Sequence, residues 1–242
     1  MKKLRAVGVI PARFASTRFP GKLLANLNGR PVLEWAYLSA KKSKVFERII
    51  IATDDYRILR AASNFGADAV LTKKNHPSGT DRIAEAARKL NCDVVVNLQG
   101  DHPFVTPAMI RNLLTSFADK KTEAATLAYR ETDIEKLKNP NLVKVVFDKN
   151  NLAMYFSRSI IPWEAQEAFV HIGLYAFRKN FLTGLVKWKP TKLEKTEKLE
   201  QLRMLENGTP IKVVLAKESV PSIDVPEDLA AAAAWAEKRG WI

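Results

Sequence analysis

The chain has 242 residues, of which 47% are hydrophobic and 27% charged, and its formal net charge is +13. This composition allows a substantial core and an ordinary surface for a soluble protein, in one large α/β domain or a domain with a small subdomain. A positive field attracts nucleic acid, anionic membranes or small anionic substrates. The basic residues are spread along the chain, and no arginine-rich tail or nucleic-acid-binding motif is present, so we expect no nucleic-acid partner.

The apolar runs of the sequence bear on where the chain works. The run that ends at Pro11 is too short for the apolar region of a signal peptide. No apolar run approaches the ~20 residues that a membrane-spanning helix needs. We therefore expect a cytoplasmic location and no membrane partner. The single cysteine, Cys92, has no partner for an internal disulfide and is expected to pack in the interior.

The first half of the chain alternates short apolar runs with amphipathic segments. The predicted elements are, in chain order, a strand at 7–10, a helix over 32–40, a strand at 49–52, a helix over 55–65, a strand at 69–71, a helix over 80–90 and a strand at 94–98. Such alternation favours a parallel sheet with helices on both faces.

The second half has a different pattern, with strands that follow one another and little helix before Lys179. Strands are predicted at 126–129, 143–147, 153–156, 172–177 and 211–215, with helices beginning near Lys179, over 197–206 and from about Pro226. We predict an α/β fold with a central, mostly parallel sheet and a small antiparallel part. We expect one domain with three parts, at 1–125, 126–186 and 187–242.

Polar and charged residues follow the predicted parallel strands, where ligands bind in open α/β sheets. The first loop, PARFASTRFPGKLL, carries three cations, Arg13, Arg18 and Lys22. It joins a strand to a helix, so its main-chain N–H groups and cations suit a triphosphate. It lacks the glycine spacing of a Walker loop. The other interpretation is a solvated basic loop.

Two further groups follow later strands. In HPSGTDR, Ser78 and Thr80 are suited to capping the next helix, and the polar groups near Gly79 could instead contact the edge of a base. Asp101 follows Gln99-Gly100, and Asp224 precedes the last helix. Carboxylates of this kind can hold Mg²⁺ together with substrate phosphates, although turns use the same residues.

The strings carry a specific resemblance when they are read together. PARFASTRFPGKLL, ATDD, HPSGTDR, NLQGDHP, LVKVVFD, LAMYFSRSIIP, HIGLYAFRK, LEQLRMLENG and IDVPEDL occur in the order that is seen in CMP-Kdo synthetases, where Kdo is 3-deoxy-manno-octulosonate. The chain resembles that family from about residue 9 to residue 229. The first loop alone resembles nucleotidyltransferases more broadly, including CMP-sialate synthetases.

The resemblance implies a Rossmann-like fold, a homodimer and a Mg²⁺-dependent cytidylyltransferase that serves the synthesis of lipopolysaccharide-type polysaccharide. It places nucleotide contacts at Pro11, Ala12, Arg13, Lys22, Ser78, Gly79, Arg82 and Gln99, and metal ligands at Asp101 and Asp224. It makes Arg13, Lys22 and Asp101 the catalytic residues. It places the sugar contacts at Arg158, His171, Tyr175, Glu200 and Gln201, with Arg158 on the substrate carboxylate.

Three departures from the family pattern keep alternatives open. His102 stands where the family usually has Glu, and Ser222-Ile223-Asp224-Val225 replaces Gly-Val-Asp-Thr. The segment at 163–170 is short, with Val170 in place of a basic residue. Kdo is the expected acceptor, amino-Kdo or a sialate-like acid is the alternative, and a catalytically impaired binding or regulatory homologue is the alternative of a different class.

The predicted reaction is an in-line displacement at the α-phosphorus of CTP. The anomeric hydroxyl of the acid sugar attacks, and pyrophosphate leaves. Mg²⁺ and the loop cations would neutralise the charge that develops. No residue is an obvious general base.

Overall fold

The computed structural model describes residues 4–16 and 18–241. The chain forms two compact units. The first contains residues up to 111 together with 220–242, and the second contains residues 112–219. The predicted three-part division of one domain stays a prediction.

The first unit is built on four parallel strands. Their order is β6-β1-β4-β5, so β1 lies between two neighbours and β5 is at an edge of this group. The elements are β1 (Ala6–Ala12), β2 (Asn26–Leu27), β3 (Arg30–Pro31), α1 (Val32–Lys42), β4 (Phe46–Thr53), α2 (Tyr56–Asn64), β5 (Asp68–Leu71), α3 (Gly79–Ala87), β6 (Val94–Asn97) and α4 (Pro107–Thr115), which continues into the second unit. β2 and β3 form a short antiparallel pair.

β1 and β6 are the most completely buried of the four strands, in keeping with their apolar sequences. Nearly every residue of both strands is buried, which is typical of a parallel strand covered on both faces. Val9 pairs with Ile50 on one side and Asn97 on the other. The carboxyl ends of β1 and β6 therefore meet at one edge, which brings the two polar loops that follow them together.

The last helix of the chain returns to the first unit. α9 (Asp228–Glu237) carries Trp235, whose ring stacks on the buried Phe104 with 5.8 Å between ring centres. Trp35 of α1 packs against Phe104 at 5.7 Å. Burial of rings of this size stabilises the unit. The return of the chain also brings Asp224 into the first unit, although it is far in sequence from the other loops.

The second unit contains antiparallel strands, as predicted. β7 (Ala124–Glu131) pairs with β10 (Ala168–Arg178) in antiparallel fashion, and β8 (Lys144–Phe147) pairs with both β10 and β9 (Ala153–Ser157). β11 (Ile211–Ala216) is parallel to β7. The helices are α5 (Ile134–Leu137), α6 (Lys179–Leu185), α7 (Lys192–Glu197) and α8 (Leu202–Glu206).

One predicted element is wrong. The helix expected over 197–206 is limited to α8 at its end, because α7 ends at Glu197 and Lys198 adopts a left-handed conformation with φ of 55°. That conformation cannot continue a right-handed helix. The α/β class, the parallel strands flanked by helices and the small antiparallel part are confirmed.

Candidate functional site

A cavity of about 400 Å³ lies in the first unit, where the loops after β1 and β6 meet. Its lining consists of Pro11, Arg13, Ala15, Ser16, Arg18, Lys22, Leu23, Gly79, Gln99, Gly100 and Asp101. The predicted residues Pro11, Arg13, Lys22, Gly79, Gln99 and Asp101 are among them. The predicted residues Ala12, Ser78, Arg82 and Asp224 do not line this cavity.

Phe14 folds the cationic loop back on itself. The Arg57 guanidinium carbon lies 3.3 Å from the centre of the Phe14 ring, and Arg57 is held by two hydrogen bonds to the Asp55 carboxylate. Gly21 lies against the same ring with φ of 73°, and its N–H donates to the Phe14 carbonyl at 3.0 Å. A side chain at Gly21 would begin only 3.1 Å from that ring. Glycine therefore allows the loop to close at this point.

Lys22 joins the two predicted metal ligands. Its Nζ lies 2.5 Å from Asp101 Oδ2 and 3.5 Å from Asp224 Oδ1, and it also donates to the Ile223 carbonyl at 3.0 Å. The Ile223 N–H donates to the Asp101 carbonyl at 2.9 Å, which ties the two segments together. Arg18 contacts the same Asp224 oxygen at 2.7 Å. The two carboxylates, distant in sequence, therefore share one ammonium group.

This arrangement fits a cation bound between the carboxylates. Burial would raise the pKa of Asp101, but nearby His102 and Lys22 outweigh it, so that the pKa is lowered and the carboxylate stays charged. Among the residues that the structure describes, no group of three or more His, Cys, Asp or Glu side chains is placed to hold a metal. Two carboxylates are nevertheless a usual protein contribution to a Mg²⁺ site whose other oxygens come from phosphates.

Ser78 begins α3 and fixes the loop in front of it. Its hydroxyl accepts from the Asp81 N–H at 3.2 Å and donates to the Asp81 carboxylate at 2.7 Å. This is the capping geometry that the sequence indicates. Gly79 begins the helix beside Pro11. A Cβ added at Gly79 would make only an ordinary van der Waals contact with the Pro11 side chain. Arg13 reaches the same loop, because its Nη2 donates to the His76 carbonyl at 2.7 Å.

Arg82 lies in the interior rather than on the cavity wall. Its side chain has no solvent exposure, and its Nη2 lies 2.9 Å from Asp54 Oδ2. Its Nη1 donates to the Thr72 hydroxyl. Arg82 therefore ties α3 to the segments that follow β4 and β5, and its predicted role at the base stays a prediction.

Arg158 lies just after β9 in the second unit, and its guanidinium contacts main-chain carbonyls. Nε donates to the Glu197 carbonyl at 2.8 Å, Nη1 to the Pro140 carbonyl at 3.0 Å and Nη2 to the Lys198 carbonyl at 3.3 Å. These bonds use three of the five N–H donors of the guanidinium. The orientation of Arg158 is therefore set by the backbone of two loops.

The other predicted sugar contacts form a buried group. His171 Nε2 lies 2.9 Å from the Thr126 hydroxyl, and the His171 and Tyr175 rings are 5.2 Å apart. Burial raises the pKa of Tyr175 well above its ordinary value, and the Glu200 carboxylate nearby raises it further. The structure thus brings His171, Tyr175 and Glu200 together.

Two polar atoms of this group are left without partners among the residues that the structure describes. Gln201 is buried, and its Nε2 makes no hydrogen bond. Thr126 lies beside the Tyr175 hydroxyl, but the hydroxyl completes no hydrogen bond of ordinary geometry. Buried polar atoms without partners are costly, so these two atoms need an explanation beyond the contacts within the chain.

Known proteins of similar sequence indicate the family to which the chain belongs. The sequence profile of the family described as Cytidylyltransferase matches residues 7–217. A 3-deoxy-manno-octulosonate cytidylyltransferase from Parabacteroides distasonis is 46% identical over 252 residues, which cover 98% of this chain and 100% of that protein. A protein of the same name from Pseudomonas fluorescens is 47% identical over 241 residues, which cover 91% and 94%.

The chain belongs to the 3-deoxy-manno-octulosonate cytidylyltransferase family. A solved structure of CMP:2-keto-3-deoxy-manno-octonic acid synthetase, complexed with CTP, superimposes with a TM-score of 0.92 at 34% identity, over 97% of this chain and 99% of that one. A 4-diphosphocytidyl-2C-methyl-D-erythritol synthase from Anaerococcus prevotii has a TM-score of 0.67 at 16% identity, which shows a shared fold alone. The predicted family and its Rossmann-like fold are confirmed.

Two of the positions where this cytidylyltransferase departs from the family pattern are His102 and Val170, and the structure shows what surrounds each of them. His102 lies close enough to Asp101 and Asp224 to interact electrostatically with both. Val170 is buried on β10, where it pairs with Tyr129 and Lys144. A basic side chain at that position would have to enter the interior, so Val170 contributes packing rather than charge.

Several residues that organise the site were missed by the sequence reasoning. Asp54 contacts Arg82, and Arg57 contacts Phe14. Glu197 contacts Arg158. Each is an ordinary charged residue in sequence, and its partner is far along the chain, so no local signal marks it.

In the described part of this cytidylyltransferase, no helix has the length and apolar character needed to span a membrane.

Proposed function

We propose that the chain transfers CMP from CTP to the anomeric hydroxyl of Kdo and releases pyrophosphate. The observation that carries this proposal is the cavity at the strand ends, where Lys22 connects two carboxylates beside further loop cations. Such a site suits a magnesium triphosphate. The names of the relatives, and the CTP bound in the similar solved structure, support the choice of nucleotide and acceptor.

In this proposal the first loop binds the triphosphate. Arg13 and Lys22 contact the phosphates and balance the charge of the departing pyrophosphate. The new bond joins the anomeric oxygen to the α-phosphorus, and the bond from the α-phosphorus to the bridging oxygen breaks, with the hydroxyl proton passing to solvent. Pro11, Ser78, Gly79 and Gln99 surround the base, and Arg82 holds their loop.

Asp101 and Asp224 would hold Mg²⁺. When bound, the ion neutralises phosphate charge and lowers the pKa of a coordinated oxygen. The side chains that contribute to this are already charged and close together, because the fold places both beside Lys22. Lys22 and Arg18 then have the triphosphate as an alternative anionic partner.

The second unit would bind the acid sugar. Arg158 suits its carboxylate, because each terminal nitrogen keeps one N–H beyond its carbonyl bond. His171, Tyr175, Glu200 and Gln201 would contact the hydroxyls, and the unpaired Tyr175 hydroxyl and Gln201 amide would gain partners. A related acid sugar, such as an amino-Kdo or a sialate-like acid, would use the same carboxylate contact.

We also propose a homodimer and a cytoplasmic location. The second unit has an apolar groove of about 580 Å³ that includes Phe147, Met154 and Phe169. Met154 is 65% exposed, and Trp163 nearby in sequence is 86% exposed. Exposed apolar surface of this kind marks an interaction site, and sedimentation at several protein concentrations tests whether a second copy covers it.

A pyrophosphate-release assay tests the function. The purified chain is given Mg²⁺ with CTP or UTP and a panel of acids: Kdo, amino-Kdo and a sialic acid. We expect release with CTP and Kdo, and little with UTP, because buried polar groups left unpaired by the wrong base are costly. Release only with another acid would reassign the acceptor, and binding of CTP without release for any acid would indicate the impaired homologue.

A further inference from the structure

Glu197 joins the last turn of α7 to the end of β9. Its Oε1 accepts from the Ser157 hydroxyl at 3.1 Å and from the Tyr155 hydroxyl at 3.4 Å, and its Oε2 accepts from the Arg158 N–H at 3.0 Å. Its own carbonyl accepts from Arg158 Nε at 2.8 Å. One residue thus contacts both the backbone and the side chain of Arg158.

The backbone of Arg158 is held from two directions. The Glu197 carboxylate accepts from the Arg158 N–H, and the Lys144 ammonium donates to the Arg158 carbonyl at 2.5 Å. Lys144 is fully buried and also donates to the Leu142 carbonyl at 2.7 Å. With both main-chain polar groups bonded, the point from which the side chain extends is fixed, and the three carbonyl contacts then set the direction of the guanidinium.

The turn that precedes two other predicted sugar residues begins directly after Glu197 and contacts Arg158. Lys198 follows Glu197 with φ of 55°, a conformation that is uncommon for a lysine and needs support from neighbours. The Lys198 carbonyl accepts from Arg158 Nη2. Glu200 and Gln201 come directly after this turn, before α8 begins at Leu202.

We propose that Glu197 is a positioning residue for the acid-sugar site. It orients the Arg158 guanidinium and the turn that carries Glu200 and Gln201, without touching the substrate itself. The inference rests on the proposed function, in which these three residues bind the acceptor. A change at Glu197 should therefore weaken the binding of the acceptor and leave the binding of CTP unaltered, because the predicted CTP site is built from other residues.

The test is the Glu197→Gln variant, assayed for pyrophosphate release with Kdo and CTP varied separately. The amide cannot accept from all three donors, because its nitrogen is itself a donor. We expect the KM for Kdo to rise about tenfold, which corresponds to the loss of one charge-assisted contact. The KM for CTP should stay within about twofold, a change too small to count as a lost contact. Glu197→Asp, which withdraws the carboxylate by one methylene, should show the same selectivity.

Two controls separate positioning from folding. Lys195→Gln changes an exposed residue on the same helix and should leave both KM values unaltered. Glu194→Gln weakens the ion pair with Arg203, within which Arg203 Nε lies 2.8 Å from Glu194 Oε2, and should lower the melting temperature. If both Glu197 variants raise the two KM values in parallel, or change neither, the inference is overturned. If the unmodified chain turns over none of the acids, the proposed function itself is wrong.

Discussion

The two units organise their charged residues in different ways. In the first unit, Lys22 contacts the side chains of Asp101 and Asp224, so the cluster consists of mutually neutralising charges. In the second, the Arg158 guanidinium contacts three main-chain carbonyls. The first site therefore depends on the number of charges present, and the second depends on the path of the backbone. Substitutions should reveal this difference.

The largest effect is expected in the charge cluster. Asp101→Asn and Asp224→Asn keep the shape of the side chain but remove its charge, and each should lower kcat/KM by about a hundredfold or more at limiting Mg²⁺. Asp101 should be the more sensitive, because its contact with Lys22 is shorter and its side chain is less exposed. Pyrophosphate release measured over a Mg²⁺ series checks this.

Glu135→Gln is the matched control, since that carboxylate is 79% exposed and pairs only at the surface with Lys138. Surface pairs of this kind contribute little. Near-normal activity of either aspartate variant at limiting Mg²⁺ would remove the metal assignment.

A second change tests how the interior of the first unit supports its loops. Arg82→Met leaves the Asp54 carboxylate without its buried partner, and breaking such a pair typically costs about 3–5 kcal/mol. We expect a large fall in the free energy of unfolding in urea. The double variant Asp54→Asn with Arg82→Met should regain part of it, because the uncompensated charge is gone.

If Arg82→Met kept its stability and lost only its preference for CTP over UTP, Arg82 would act directly at the base. That result would support the role that the resemblance implies. A loss of stability with an unchanged preference for CTP would instead support a role through the loops that Arg82 connects.

The Arg158 site should respond to geometry rather than to charge alone. Arg158→Lys keeps the positive charge but loses the planar fork, so the KM for Kdo should rise about ten- to a hundredfold while the KM for CTP changes little. Arg158→Ala should be worse. Arg130→Lys, an exposed arginine of the same unit, serves as the control.

Parallel measurement of both KM values and of the melting temperature distinguishes the outcomes. A joint loss of stability and of both affinities would mean that the three carbonyl contacts of Arg158 matter only for folding. No change at all would mean that the carboxylate binds elsewhere, and His171 and Glu200 would lose their place in the sugar site with it.

The smallest effect is expected beside the first loop, which we propose binds the triphosphate. Arg57→Gln removes the cation that lies over Phe14, a contact worth about 0.5–1 kcal/mol at an exposed position. The KM for CTP should therefore rise about two- to fivefold. Arg60→Gln, an exposed change on the same helix, should leave it unaltered. An equal rise in both variants would point to the net charge of the helix instead of the stacking contact.

Much of the architecture could be predicted from local patterns. The strands at 7–10 and 94–98 stand out because parallel strands buried on both faces need unbroken apolar runs. The meeting of the loops after them could also be predicted, because the carboxyl ends of such strands form one edge. The helix over 197–206 was wrong because its charged, periodic sequence has no glycine at Lys198 to signal a left-handed residue.

The sequence by itself determined the fold class, the family and the set of polar residues that are candidates for the site. These depend on periodicity and on the order of short motifs, both of which can be seen one segment at a time. Only the tertiary structure decided which charges meet. Lys22 lies between Asp101 and Asp224, Arg82 turns inward to Asp54, and Glu197 holds Arg158. Each of these contacts joins residues that are distant in sequence, and the energy of a charged side chain depends on its burial and its partners, which exist only after the chain has folded.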